Sequence, residues 1–240
     1  SLCGDCGDSF LKMSTSGGLL LTGYFTPDDQ SVLANGDIDL GSGGLILLPD
    51  SLGSATHPHL LLGGGKTGHL YLVDRDNLGS YSSTSNQIVQ ELSITSGGDL
   101  SGFYSTPALW QNNVYVLAVD DYLKAFQINS GMLTTTPTSE SPASGGTYSF
   151  PGATPTVSAS GSTNGIVWVL SASASFSNGP AILHAYDATN LSNQLYDSTQ
   201  AANNRDQAGP AVRFAVPTVA NGKVYIGGET QLTVYGLLPN

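Results

Sequence analysis

"AVPTVANGKVYIGGETQLTVYGL", residues 215–237, holds the pattern on which the fold turns. A proline leads a short apolar run, a polar turn follows, and "KVYIG" comes next as a second run. After another polar turn, "QLTVYGL" alternates a third time. Period-two alternation of β-branched and aromatic residues is a strand signal. The three runs follow one another compactly within 23 residues.

The same unit recurs upstream. "STPALWQNNVYVLAVDDYLKAFQINSG" (105–131) has a proline-led strand, a polar turn, a "VYV" strand, then "LKAF" and a turn. "ATPTVSASGSTNGIVWVLSAS" (153–173) with "AILHAYDATN" (181–190) has the same parts and longer turns. Pro107, Pro155 and Pro217 mark one place in each copy. The third strand recurs five times, as "FLKMSTSGG", "HLYLVDRDN", "LKAFQINSG", "LHAYDATN" and "LTVYGLLPN". No eleven-residue window carries a 3.6 period, so helix is expected to be scarce.

Four-stranded units of about 40 to 50 residues are the signature of a β-propeller, each unit forming one blade. The spacing predicts full blades at 37–95, 102–141 and 150–200, with partial blades at 8–27 and 211–238. The expected fold is therefore all-β, a single propeller segment of four-stranded antiparallel blades: an incomplete ring of three full and two partial blades. A β-sandwich is the alternative, but it does not explain the repeated order of strand motifs. Partial blades leave bare strand edges. The expectation is that missing N-terminal blades of a longer propeller, or a protein partner, complete the ring.

Composition narrows the function. Acids outnumber bases 18 to 7, for a net charge of −11. A chain so poor in lysine and arginine is unsuited to nucleic acid or to an anionic membrane surface, because both demand clustered cations. No apolar run reaches the length of a membrane-spanning helix. The two cysteines, Cys3 and Cys6, form a lone C-x-x-C without a following histidine or a second pair, which excludes c-type haem attachment and a complete zinc site. A local disulfide, or partners outside the chain, are the readings left for them.

Within "LLLGGGKTGHLYLVDRDNLG" (60–79), Gly65-Lys66-Thr67 suggests a phosphate loop. That loop needs a glycine where Leu60 stands and a helix where "GHLYLVD" stands, so the reading fails twice. The stretch reads instead as a strand, a glycine turn and a second strand. Gly63, Gly64 and Gly65 are expected at the reversal, where positive φ is called for, and Lys66 and Thr67 are expected exposed.

Candidate metal ligands are few. Asp37 and Asp39 precede a glycine-rich turn and suggest part of a calcium loop, without the further oxygens and terminal glutamate of an EF-hand. His57, His59 and His69 form a second candidate set, needing a carboxylate such as Asp74 or Asp76 to close it. Both sets have an ordinary alternative, as polar loop residues. No G-x-S-x-G elbow is present. The eleven tyrosines suit blade cores, and also suit a sugar-binding surface.

The strings "LHAYDATN" and "VPTVANGKVYIG", with "DIDLGSGGLILLPD" and "FPGATPTVSASGSTNGIVW", resemble the pyrroloquinoline-quinone-like propeller repeat. From about Gly7 onward the chain is similar to the C-terminal blades of large bacterial secreted proteins. The resemblance implies a quinoprotein-like architecture and export to the periplasm or cell exterior. Catalytic members hold the quinone with a calcium or lanthanide ion, an aspartate base, a vicinal disulfide and a stacking tryptophan. This chain has no adjacent cysteine pair, and Trp110 and Trp168 fall in or beside strands. The expected function is thus an exported, non-catalytic scaffold for protein–protein contact, with no catalytic residue and no cofactor. The alternatives are part of a quinone- or metal-dependent oxidoreductase with its site in absent blades, and a carbohydrate-binding or carbohydrate-cleaving propeller.

Overall fold

The computed structural model describes residues 6–95, 97 and 101–237, apart from the side chains of 174 and 176. They form two compact units, one running through Phe103 with the addition of Ile128–Leu133, the other comprising Tyr104–Gln127 and the chain from Thr134.

The first unit contains β1 (Phe10–Ser14), β2 (Leu20–Thr26), the helix α1 (Gln30–Gly36), β3 (Leu45–Leu47), β4 (Leu60–Gly64), β5 (His69–Asp74), β6 (Ser80–Tyr81) and β7 (Gln90–Ser93). One sheet orders β3-β4-β5-β7, antiparallel throughout. Its central β4 is buried at every residue and β5 at all but His69. That is why "LLLGG" and "HLYLVD" are near-continuous apolar runs rather than strict alternations. A second sheet pairs β1 with β2 antiparallel and adds β6 to β2 in parallel. The two sheets share a core of Phe10, Phe25, Leu61, Tyr71 and Val73. Phe25 and Tyr71 have ring centroids 5.3 Å apart, and Phe10 meets each edge-on or tilted. Burying each ring contributes roughly 2–3 kcal/mol.

α1 buries a single residue, Leu33, and stops where Asp37 turns left-handed at φ 54°. Seven residues are too short to register as a 3.6 period, and only context holds such a helix.

The second unit contains β8 (Ala108–Trp110), β9 (Asn113–Val116), the body of β10 (Lys124–Asn129), β12 (Ser139–Glu140), β13 (Thr156–Ser160), β14 (Thr163–Ser171), β15 (Ile182–Asp187), β16 (Asn190–Asp197), β17 (Thr218–Ala220), β18 (Lys223–Gly227) and β19 (Leu232–Tyr235). Three antiparallel sheets follow one another: β8-β9-β10 with β12 on β10, then β13-β14-β15-β16, then β17-β18-β19. β11 (Met132–Leu133) and the end of β10 form a hairpin tip that belongs with the first unit. There Gly131 donates to the Leu52 carbonyl at 3.0 Å, and the Gln90 side chain bonds both backbone groups of Leu133.

Pro107, Pro155 and Pro217 each sit immediately before the first strand of a sheet. Proline fits there because a strand's leading residue need not donate to the ladder. Adjacent sheets share apolar cores, one built on Tyr115, Leu117, Val167, Val169 and Tyr186, the other on Leu170, Leu183, Val224 and Ile226. Buried tyrosine hydroxyls find partners: Tyr115 donates to the Ala188 carbonyl at 2.6 Å, and Tyr148 and Tyr186 pair at 2.8 Å. The architecture is all-β, built of successive propeller blades with partial sheets at the first and last positions.

Candidate functional site

The first unit holds a cleft of about 480 Å³. Its floor is apolar, made by Phe10 and Leu11 of β1, Leu45 and Leu47 of β3, Leu61 of β4 and Leu78. β3 is the edge strand of its sheet, and Leu45 and Leu47 stay 42% and 60% exposed. Leu11 is 47% exposed. The rim is charged: Lys12, Asp50, His59, Arg75 and Asp76.

These rim groups hold one another. Arg75 Nη2 donates to Asp50 Oδ1 at 3.0 Å, and the other Asp50 oxygen lies 3.6 Å from His59 Nε2. His59 Nδ1 is 2.6 Å from Asp76 Oδ2. Lys12 Nζ donates to the Arg75 carbonyl at 2.7 Å, and Arg75 N–H donates to the His59 carbonyl at 2.8 Å. Arg75 Nε is buried and finds no acceptor. The result is a fixed polar edge around a leucine floor, suited to holding an apolar side chain of a partner while charges set its orientation.

The histidines do not converge. His57 Nδ1 lies 2.8 Å from Asp74 Oδ2, His59 pairs with Asp76, and His69 Nδ1 pairs with Glu91. Burial alone would raise the Asp74 carboxyl, but the His57 contact and backbone N–H groups outweigh it and hold the carboxyl below its usual range. Glu91, bonded to His69 and to Asn86, is likewise lowered, while the same contact raises His69. Among the described residues no three histidine, cysteine or carboxylate side chains come together as a metal site.

Asp37 and Asp39 do come together, around a cation the protein supplies itself. Lys66 Nζ donates to the Asp37 carbonyl at 2.7 Å, lies 3.1 Å from Asp37 Oδ2 and 2.7 Å from Asp39 Oδ2. Lys66 is only 6% exposed and Thr67 9%, which corrects their reading as exposed turn residues. An ammonium seated on these oxygens takes the place a calcium ion would need, so the residues present do not fit one. Nor is positive φ the reason for Gly63, Gly64 and Gly65. Of this turn only Gly68 is left-handed, at φ 74°, and the three earlier glycines are there for close approach. Cys6 is disulfide-bonded, as the local-disulfide reading expects, and Cys3, its suggested partner, lies outside the described residues.

No family model matches the chain, and no curated protein matches it. Among solved structures it is similar to two computationally designed proteins. Ika8 is 14% identical over 74% of this chain and 43% of its own, with a TM-score of 0.47. Ika4 is 14% identical over 74% of this chain and 85% of its own, with a TM-score of 0.42. It is also similar to BamB from Moraxella catarrhalis, 15% identical over 81% of this chain and 46% of that one, with a TM-score of 0.45. The chain thus spans less than half the length of Ika8 and of BamB. At 14–15% identity these likenesses assign no activity. Among the described residues no helix is long and apolar enough to cross a membrane.

Proposed function

We propose that this chain is part of an exported, quinoprotein-like propeller that binds another protein and performs no catalysis of its own. The reading places it in the periplasm or outside the cell and assigns it no cofactor. One observation carries it: the leucine-floored cleft of the first unit, opened by the exposed edge strand β3 and rimmed by charges already locked to one another. Apolar pockets with polar rims are where a few partner side chains deliver most of the binding energy. A rigid strand scaffold presenting such a pocket needs little reorganisation to bind.

The test uses two exposed floor residues whose replacement spares the core. Leu47→Asp and Leu11→Asp are compared with the wild type in cross-linking mass spectrometry, with Lys12 on the rim as the cross-linking amine. The wild type is expected to join a partner through Lys12. Both variants are expected to lose that link by at least about tenfold, with thermal midpoints unchanged. A partner captured equally by all three proteins would place the interface elsewhere and end the proposal.

A further inference from the structure

The second unit carries its own cleft, of about 490 Å³, lined by Trp168 of β14, Tyr196 of β16, Val224 of β18 and Tyr235 of β19, with Arg205 and Asp206 at its side. The volume lies in the range of small-ligand sites. Its polar atoms are arranged in an uncommon way. The Trp168 indole N–H donates to Ser158 Oγ at 2.8 Å. The Tyr196 hydroxyl donates to Asp206 Oδ2 at 2.8 Å, and the Tyr235 hydroxyl to the Asp206 carbonyl at 2.9 Å. All three aromatic residues therefore have their polar handle engaged inside the protein, and what remains for a ligand is C–H and π surface. These bonds also fix the rings in place, and Tyr196 and Tyr235 meet edge-on with centroids 6.4 Å apart.

Arg205 and Asp206 supply the hydrogen bonding. The guanidinium grips the carboxylate in a fork, Nε to Oδ1 at 2.7 Å and Nη2 to Oδ2 at 3.0 Å. The Arg205 side chain is still 57% exposed, so its remaining donors face solvent beside the rings. The pair cancels its own charge. An anion would meet the carboxylate and a cation the guanidinium, whereas a neutral ligand with both donors and acceptors meets a match for each.

We propose that this cleft binds a neutral saccharide, with a pyranose C–H face on the aromatic rings and ring hydroxyls on Arg205 and Asp206. Sugars are the ligand class that combines an apolar face with hydroxyls that both donate and accept. A proline-rich peptide also favours aromatic grooves, but it offers carbonyls that need indole or phenol donors. Here those donors are engaged. A nucleotide would stack as well, yet its phosphates need free cations, and the one guanidinium lining the cleft is paired. The site shares no residue with the first unit's cleft, so it stands or falls apart from the protein-binding reading.

Maltose, cellobiose and N,N′-diacetylchitobiose are titrated to about 10 mM, above the millimolar Kd of a shallow site, against tryptophan fluorescence and by calorimetry. At least one is expected to bind the wild type and to change Trp168 emission. Arg205→Ala, at an exposed position, is expected to weaken binding about tenfold with the thermal midpoint unchanged. Tyr235→Phe, which frees the ring from its hydroxyl bond, should weaken it less. The proposal is overturned if none of the three sugars binds, if Arg205→Ala binds as the wild type does, or if a proline-rich decapeptide binds in their place.

Discussion

The Lys66 ammonium lies among the Asp37 carbonyl, Asp37 Oδ2 and Asp39 Oδ2, at 2.7, 3.1 and 2.7 Å, while its stem is buried. The lysine backbone joins in, its N–H donating to the Asp39 carbonyl at 3.0 Å. One side chain thereby pins the loop that follows α1 against the β4–β5 turn. The carboxylates remain 78% and 52% exposed, so losing the ammonium lets them rehydrate. Lys66→Met keeps the stem and removes the charge. It should cost about 2 kcal/mol, the scale of hydrogen bonds to charged groups rather than of a fully buried ion pair. Urea unfolding with an unchanged m-value measures it, and a midpoint equal to the wild type would show that the ammonium contributes nothing. The sequence places Lys66 in a glycine-rich turn, where lysine is ordinarily solvated. Nothing local distinguishes it, because its partners lie nearly thirty residues back, at 37 and 39.

Elements turn on the same segment. A Cβ on Gly65 would stand 2.5 Å from the carbonyl oxygens of both Asp39 and Leu40, and one on Gly64 would stand 2.2 Å from the His69 carbonyl. Those obstacles are backbone and cannot rotate away. Gly65→Ala should therefore cost roughly 3 kcal/mol, at the upper end for overpacking. Gly41→Ala, with nothing within 4 Å of the added atom, should fall within about 0.5 kcal/mol of the wild type. Equal midpoints for the two variants would remove close approach as the reason for the glycines. The strand order was legible because alternation and the prolines before β8, β13 and β17 are local signals. β6 was not, since two residues pairing in parallel with β2 leave no pattern. The histidine pairs were half legible. Asp74 and Asp76 stand out beside "HPH" in the sequence, but whether they close one site or two depends on the β4–β5 register, in which Leu60 faces Asp74. That register separates the carboxylates, one to each imidazole. The saccharide cleft was legible only as an abundance of tyrosine, because β14, β16, β18 and β19 meet there through tertiary packing.

At the scale of the whole molecule, one histidine in each unit is shifted by its surroundings, and the two shifts run in opposite directions. In the first unit, the hydrogen bond that the His69 imidazole donates to the Glu91 carboxylate raises His69 above 6.5, outweighing burial. A raised base contributes stability that is fully present below the unfolded value and lost as pH rises through the folded one. In the second unit, burial lowers His184, with the nearby Asp197 opposing only in part. Its neutral ring stacks on Tyr186, and Tyr148 meets it edge-on. Here the unfolded chain takes up the proton first, so stability is complete above 6.5 and declines as pH falls below it. Lowering the pH from about 7.5 to about 5.5 should therefore loosen β15 and tighten β5. Hydrogen exchange followed by mass spectrometry, corrected for intrinsic rates, reads both strands in one sample. His184→Gln should abolish the loss in β15, and His69→Gln the gain in β5. Protection of β15 that rises on acidification would mean that His184 is held as an imidazolium by Asp197, and that its environment is not the apolar one its 5% exposure and two flanking tyrosines imply.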